Sequence, residues 1–537
     1  MVSQRLLLLS GALLVAGLGG CASIPADWGR GEAAQLAASH GRTIPQADDA
    51  AAFTREALSR PLTADTAVQL ALLNNPLVRS ETARLGFAAA DLYDAGRLAN
   101  PVFSATRLSP GDAAAPNAQL TLGIAFNFVN LLFLPVNTRY AGAQFEAAKL
   151  AVAAAAVDLA ADVEAAYYEA VGAEQLAQMR EAVVRAAKAS ADLAQRFFDA
   201  GNISRRELAL EQAAASQAHL DALSARAAAV EARGALNRLM GLSAAQDTWS
   251  LDARLAEPLP REDELGALLR LAAGSRLDVA AARTNAEALA ARFGLERRTR
   301  LIGGIEIGVE REKDYDGAIN LGPTLQLELP LFNWGAGRVA AARAALEQAE
   351  AELDARVLDS SNEVKLANAR LLSAKARAES YRSALIPQRE AVVEQMEREV
   401  NYMLIGVFEL LVAKQQEYDA YAGYLDAVRD YWIARTELAR AVGRQLPSSD
   451  QPAEPTLDPQ ELTKPKGGSM DHSGHAMGGV KGMDHSGRHM QHEGMETDDM
   501  PGMQGMDHGT HEAASEPEPK QEEQPAEEKP AHEHQHH

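Results

Sequence analysis

Methionine and histidine side chains cluster near the carboxyl end of the sequence, in a segment rich in glycine. Of the 13 Met and 13 His in the 537-residue chain, 8 Met and 11 His lie beyond residue 469. The unit MDHSG occurs at 470–474 and 483–487, and a shortened MDHG follows at 506–509. Thioether sulfur is a soft ligand that suits Cu(I), and imidazole nitrogen suits copper and zinc. The repeated unit therefore predicts binding of Cu(I) or Ag(I). We expect no other cofactor.

The candidate ligands all lie within these repeats or a few residues from them. They are Met470, His472, His475, Met477, Met483, His485, His489, Met490, Met506 and His508. Ordering a flexible chain around an ion costs conformational entropy, so we expect transient capture rather than a permanent site. Two alternatives remain open at this point. The segment could be a low-complexity solvated tail, and its last residues, HEHQHH, could belong to a purification tag.

The tail is joined to the rest of the chain by a stretch rich in proline. Four Pro lie between 452 and 465, which indicates a linker over 446–469. Beyond it, residues 470–537 combine low hydrophobicity with many glycines and charges, a composition that does not support a packed core. The sequence therefore predicts a disordered Met/His-rich tail over 470–537.

The amino end has the pattern of an export signal. Arg5 is followed by a run of Leu, Ala and Val that ends at Gly19-Gly20-Cys21, and this run is too short for a membrane-spanning helix. Leu18-Gly19-Gly20-Cys21 resembles a bacterial lipobox. The sequence therefore predicts a signal peptide over 1–20, lipidation at Cys21 and a lipidated extension over 21–60. The alternative is an ordinary signal with an incidental cysteine.

Charge and motif content exclude several classes of protein. The formal net charge is −22 at pH 7, which argues against a nucleic-acid partner. We find no Ser/His/Asp arrangement, no phosphate-binding loop and no zinc signature. The sequence therefore offers no candidate catalytic residues.

The middle of the chain contains two copies of one helical plan. Strong helix formers predict a helix from about Arg139 to Ala200, a break in 198–208, and a return helix that stops at Gly241. A second long helix begins at Arg338, is interrupted by a kink at Pro387, turns in 400–411 and returns to Gly443. We interpret the two copies as a duplication, with a first repeat over 61–260 and a second over 261–445.

Alternating strand patterns precede each long helix. They are NPVFSATRL at 100–108, QLTLGIAFNF at 119–128, IEIGVER at 305–311 and TLQLEL at 324–329. Period-two alternation at this length is typical of membrane barrel strands, although a soluble hairpin has the same period. Four strands are too few to close a barrel, so strands in a membrane would have to be shared between chains.

Residues 60–445 together resemble the TolC family of outer-membrane factors. The resemblance rests on LTADTAVQLALLNNPLVRS with Asn75-Pro76, on LPLFNWGAGR at 329–338, and on the turns at 198–208 and 400–411. It implies a mainly α protein with a small β part. Long antiparallel hairpins would form a tunnel, and four strands per chain would contribute to a shared 12-stranded barrel in a homotrimer.

The resemblance also implies a function and partners. The chain would be the outer-membrane exit duct of a tripartite efflux system, a passive channel and not an enzyme, with a periplasmic adaptor and an inner-membrane pump as partners. The tail favours copper or silver ions as cargo. Alternatives are a duct for organic toxicants and a periplasmic copper-buffering lipoprotein with no channel. The expected partner-docking tips are Asn202, Ile203 and Ser204 in the first turn and Leu404, Ile405, Gly406 and Val407 in the second. Asp199, Glu207 and Glu409 are candidate gate carboxylates or, equally, solvated surface.

Overall fold

The computed structural model describes residues 27–45, 50–109, 118–251, 254–450 and 455–456. The predicted signal peptide, Cys21 and the whole Met/His-rich tail lie outside the described residues. Most of the predicted linker over 446–469 also lies outside them.

The described residues are mainly helical, as the sequence predicts. In chain order the helices are α1 (Arg30–Ser39), α2 (Ala50–Leu58), α3 (Ala64–Asn74), α4 (Pro76–Ala95), α5 (Phe128–Asp199), α6 (Arg205–Leu239), α7 (Leu265–Ser275), α8 (Leu277–Arg298), α9 (Ala336–Ser380), α10 (Ile386–Asn401) and α11 (Val407–Val442). The strands are β1 (Val102–Leu108), β2 (Gln119–Asn127), β3 (Ile305–Lys313) and β4 (Ile319–Leu327). Across the described ranges, the helices lack the combination of length and apolarity that a bilayer crossing requires.

The first long hairpin is formed by α5 and α6, and α5 is longer than the sequence predicts. It contains 72 residues and starts directly after β2, eleven positions before Arg139. The side chain of Asn127 accepts a hydrogen bond from the Asn130 amide and caps the helix. Pro135 lies inside the helix, near its start. An N-cap two turns upstream starts the helix regardless of that proline.

The second long hairpin is formed by α9, α10 and α11. Between α9 and α10 the chain makes a five-residue π-turn, Tyr381–Leu385, and Pro387 follows at the start of α10. Proline has no N–H to donate to the carbonyl one turn back, so a local change of hydrogen bonding before it is expected. The interruption predicted at Pro387 is therefore present as a π-turn.

The four strands form one antiparallel sheet in the order β1-β2-β3-β4. β4 differs from its sequence prediction, because it begins at Ile319 and ends at Leu327 instead of covering 324–329. Pro323 lies within it, paired with Val309. A proline is tolerated on an edge strand, because the N–H group that it lacks would point away from the only neighbouring strand. Within one chain β1 and β4 are both edge strands of this sheet.

The core lies between the helices and is rich in alanine, together with leucine, valine and tyrosine. Tyr421, Tyr424 and Tyr431 on α11 are fully buried against small side chains of the neighbouring helices. At the start of α4, the Asn75 side chain accepts from the Leu77 amide and donates to the Leu239 carbonyl at 2.7 Å. The Asn-Pro pair thus ties the opening helices to the end of α6.

The segment that joins the two repeats lies across both hairpins. The Trp432 indole donates to the Ala256 carbonyl at 2.6 Å, and the Tyr431 hydroxyl accepts from the Leu259 amide. The same hydroxyl donates to Glu262 at 2.6 Å, and burial raises its pKa above the ordinary value. Arg435 pairs with Glu262 at 2.6 Å, with only 6% and 7% of their side chains exposed. A buried ion pair therefore fixes the connection between the repeats.

Breaking this pair from one side should destabilise the fold strongly. We expect Arg435→Met to cost about 3 kcal/mol, because the Glu262 carboxylate would remain buried without its guanidinium. The matched control is Arg370→Met, whose partner Glu437 lies at 3.4 Å in an exposed pair and should cost less than about 1 kcal/mol. Urea unfolding followed by circular dichroism measures both, and equal losses would contradict a structural role for the buried pair.

Candidate functional site

The sheet has one apolar face and one polar face, and strand register determines which residues share each. The apolar face is formed by Phe103, Ala105, Leu120, Leu122, Ile124, Phe126, Ile305, Ile307, Val309, Ile319, Leu321, Pro323, Leu325 and Leu327. Several of these side chains are exposed in the single chain, including Phe103 at 68% and Leu321 at 72%. Alternation thus places an uncovered apolar surface on one side of the sheet. The exceptions on this face are Arg107, Arg311 and Lys313. They lie near the loop end of the sheet, where the β1–β2 and β3–β4 connections are.

The opposite face carries mainly small, amide, hydroxyl and carboxylate side chains, and its apolar exceptions are Val102 and Leu108 of β1. Glu306, Glu310 and Glu312 occupy alternate positions of β3 and therefore lie on this face. Glu312 accepts a hydrogen bond from the Gln119 amide group of β2. Gly123 and Gly308 lie on the same face, paired with Glu310 and Ala125 respectively. This face can be wetted, whereas the apolar face requires a nonpolar environment.

The first helical tip, between α5 and α6, is closed by caps on both sides. Gly201 has φ +77°, and the amides of Gly201 and Asn202 donate to the carbonyls of Phe198 and Phe197, both at 2.8 Å. This is a Schellman C-cap. Ser204 then starts α6 in a capping box with Glu207.

Glu207, a candidate gate residue, is part of that cap. Hydrogen bonds from the backbone and side chain of Ser204 hold its pKa below the ordinary value. Its carboxylate therefore caps the start of α6, which is a structural role. Of the other two candidates, Asp199 accepts a hydrogen bond from Gln195 at 2.8 Å. Glu409 is exposed in the first turn of α11.

The second tip, between α10 and α11, has the same backbone hydrogen bonds as the first. Met403 occupies the position that corresponds to Gly201. The amides of Met403 and Leu404 donate to the carbonyls of Val400 and Glu399, both at 2.9 Å, in the same Schellman pattern. Met403 has φ +60°, a conformation that costs a residue with a Cβ roughly 1–2 kcal/mol. Gly201 and Met403 are 202 positions apart in the sequence. Gly241 and Gly443, at the ends of the two return helices, are separated by the same number of positions.

The structure places the predicted docking residues unevenly around the two tips. Asn202 and Ser204 are exposed and Ile203 is half-buried, so the first tip offers mainly polar groups. Leu404 is 71% exposed and Gly406 is exposed, whereas Ile405 and Val407 are half-buried and pack partly into the hairpin.

The most exposed apolar residues of the second tip were missed by the sequence analysis. They are Tyr402, at 77%, and Met403, at 93%. The sequence gives little indication that these two residues are exposed, because a Tyr-Met pair at this position is equally compatible with the last turn of a helix. The exposed apolar patch therefore covers 402–404, one turn earlier than Ile405 and Val407 suggested.

A groove runs between the hairpins a few turns from the tips. It has a volume of about 430 Å³ and is lined by residues of α5, α6 and α11, including Arg180, Glu211 and Tyr418. Phe197 of the first hairpin and Phe408 of the second meet edge to face at 6.2 Å between ring centroids. The two tips of one chain are thus held together by an aromatic contact and face the same end of the molecule.

Metal ligation was predicted only for the tail, and all ten of its candidate ligands lie outside the described residues. Within the ranges that the structure describes, no cluster of three or more His, Cys, Asp or Glu side chains could hold a metal ion.

Comparisons with known proteins agree with this architecture. Residues 268–444 match the family Outer membrane efflux protein. Protein CyaE of Bordetella pertussis is 27% identical over 334 residues, which cover 58% of this chain and 70% of that protein.

Two solved structures share the fold. The outer membrane protein VceC of Vibrio cholerae has a TM-score of 0.59 at 19% identity, over 71% of this chain and 96% of that chain. The outer membrane channel CmeC of Campylobacter jejuni has a TM-score of 0.59 at 17% identity, over 72% and 87%. The match of residues 268–444 to the efflux-protein family and the shared channel fold agree with the resemblance drawn from the sequence.

Proposed function

We propose that the chain forms, as a lipid-anchored homotrimer, the outer-membrane exit duct for copper or silver ions. One observation carries the duct: a four-stranded sheet with an uncovered apolar face, a polar face and two edge strands leads directly into two long helical hairpins. Backbone groups at such edges need partners in a membrane. Three copies joined edge to edge would supply them and close a 12-stranded barrel over a helical tunnel.

The polar face supports a cationic cargo. In the closed barrel it would line the pore, and each chain would contribute Glu306, Glu310 and Glu312 to the wall. Carboxylate side chains around a pore raise the local concentration of cations. This distribution of charge favours metal ions over neutral organic toxicants, although it does not select copper among cations.

The tail supports copper or silver in particular. Its repeated Met-Asp-His units offer soft thioether and imidazole donors, which match Cu(I) and Ag(I). Three tails tethered to one trimer would raise the local ligand concentration near the duct without a folded site. In the proposed topology the helices, the tips and the tail all lie on the periplasmic side.

The tips are the proposed docking surface for a periplasmic adaptor that links the duct to an inner-membrane pump. Exposed apolar residues at a turn are uncommon unless they make contacts. The patch Tyr402, Met403 and Leu404 fits that role in the second repeat. Asn202 and Ser204 provide hydrogen-bonding groups in the first, with Ile203 beneath them.

Replacing the soft ligands of the tail should lower copper tolerance without stopping export. The variant changes every Met and His of 470–508 to Leu and Gln in the full-length chain, and the control changes the acidic residues of that range to Asn and Gln. In a strain lacking its own copy of the protein, we expect the first variant to confer intermediate tolerance to copper and silver and the control to match wild type. Wild-type tolerance of the ligand-free variant across all copper concentrations would contradict a metal role for the tail.

A separate outcome of the same experiment concerns the cargo. If the strain without the protein lost resistance to organic toxicants and kept full resistance to copper and silver, the duct would carry organic molecules.

Substitution of Met403 should separate stability from docking. Met403→Gly relieves the left-handed backbone strain and should raise the unfolding free energy by about 1 kcal/mol, yet remove an exposed contact and lower efflux. Gly201→Ala is the matched control, because it introduces strain at the equivalent position and should destabilise the first tip while leaving the apolar patch intact. Thermal unfolding and copper efflux are measured on the same preparations. Full efflux by Met403→Gly would rule out a docking role for this side chain.

Lipid anchoring is proposed from the lipobox-like residues before Cys21. Cys21→Ser should abolish incorporation of labelled palmitate, because the only cysteine of the chain would be lost. Equal labelling of wild type and variant would contradict acylation at this residue.

A further inference from the structure

The charged residues of the sheet are sorted by sign between its two faces. On β3, Arg311 and Lys313 lie on the apolar face, while Glu306, Glu310 and Glu312 lie on the polar face. Arg107 of β1 joins the apolar face, since its register partner Leu120 is also the partner of Lys313. No carboxylate of the four strands lies on this face. The apolar face therefore ends in a patch of three cations, which we call the basic rim.

The basic rim is compact and lies at one end of the sheet. Arg107 and Lys313 flank β2, so their backbones are two strand spacings apart, or about 10 Å. Arg311 and Lys313 are two residues apart on one strand, which corresponds to about 7 Å. All three precede or follow the loops that end at Gln119 and Ile319, away from the helices. Arg107 is exposed, and Arg311 and Lys313 are half-buried among their neighbours.

The geometry points to a docking surface for lipid headgroups that carry phosphate groups, at the loop end of the barrel. An apolar band continues from the rim toward the helices through Phe103, Ile124, Val309 and Leu325, and this band requires acyl chains around it. Cations directly beyond such a band lie at the depth of lipid phosphates, where long basic side chains reach the polar layer. Charge complementarity then selects anionic headgroups over zwitterionic ones.

Two acidic residues follow the basic rim in the chain. Asp314 and Asp316 lie in the turn after β3, where Asp316 accepts from the Ala318 amide at 2.8 Å and shapes that turn. The placement of the sheet in a membrane, with its loop end at the cell exterior, rests on the proposed function.

The expected strength of binding follows from the number of cations. A basic residue near an anionic lipid surface contributes about a fivefold gain in affinity, so three residues would contribute on the order of 100-fold at low salt. The gain should fall as ionic strength rises, because Arg107 is exposed and Arg311 and Lys313 are only half-buried.

The test is native mass spectrometry of the purified full-length protein, titrated with lipid A carrying two phosphates and, separately, with phosphatidylcholine. The test variant is Arg107→Gln/Arg311→Gln/Lys313→Gln. The matched control is Arg79→Gln/Arg185→Gln/Lys188→Gln, which removes two arginines and one lysine that are exposed on helices. We expect the test variant to bind lipid A at least about tenfold more weakly than wild type, and the control variant to bind it as wild type does.

Each remaining outcome would overturn the inference. Equal binding of lipid A by the test variant and wild type would mean that the rim takes no part. Equal binding of lipid A and phosphatidylcholine by wild type would indicate acyl-chain contact alone. Displacement of lipid A by millimolar inorganic phosphate would identify the free anion as the ligand.

Two further measurements keep the test interpretable if the test variant fails to assemble. The charge-retaining variant Arg107→Lys/Arg311→Lys/Lys313→Arg should bind lipid A within about threefold of wild type, and Lys313→Gln alone should lose about fivefold. The opposite order would overturn the inference. Planar-bilayer conductance of the same wild-type preparation tests the duct separately, because a lack of conductance contradicts the proposed function whatever the lipid result.

Discussion

The rest of this structure depends on the unpaired backbone groups at the two edges of the four-stranded sheet. β1 and β4 each pair with one neighbour in the chain, and the face that they share is apolar and uncovered. In water a single copy would leave its apolar face exposed, and in lipid it would leave its edge amides without partners. The proposed trimer resolves both problems with one arrangement. The helices then inherit the threefold geometry of the sheet, because α5 starts at the residue after β2.

The internal duplication gives two hairpins with the same backbone and different surfaces. Both tips end in the same pair of Schellman hydrogen bonds, one around Gly201 and one around Met403. The first tip is polar and carries a capping box, whereas the second exposes Tyr402, Met403 and Leu404 and begins its return helix at Gly406 without a side-chain cap. A trimer with such tips presents six ends of two alternating kinds. An adaptor would therefore meet two chemically distinct surfaces at each step around the ring.

Much of this fold could be predicted from the sequence, and the differences have specific physical causes. The alternation of Leu120, Leu122, Ile124 and Phe126 located β2, because membrane-type strands alternate strictly. β4 was shifted because Gly322-Pro323 reads as a break, although an edge strand tolerates a proline. The second tip was predicted around its only glycine, Gly406, yet that residue has φ −78° and the left-handed position is taken by Met403. No sequence rule assigns a left-handed conformation to methionine. Gate carboxylates could not be distinguished from caps, because Glu207 differs from a solvated glutamate only by its hydrogen bonds to Ser204.

The π-turn at Tyr381–Leu385 gives the second hairpin a tolerance for changes in length. A π-turn accommodates one residue more than an α-turn, and the helices on either side keep their facing. Removing one residue there would restore a regular helix, and the second tip would remain in phase with the first. The same deletion within α9 would rotate everything beyond it by about 100° around the helix axis. Insertions and deletions that preserve the alignment of the tips should therefore accumulate at this turn, where the Tyr381 ring packs against Gly423.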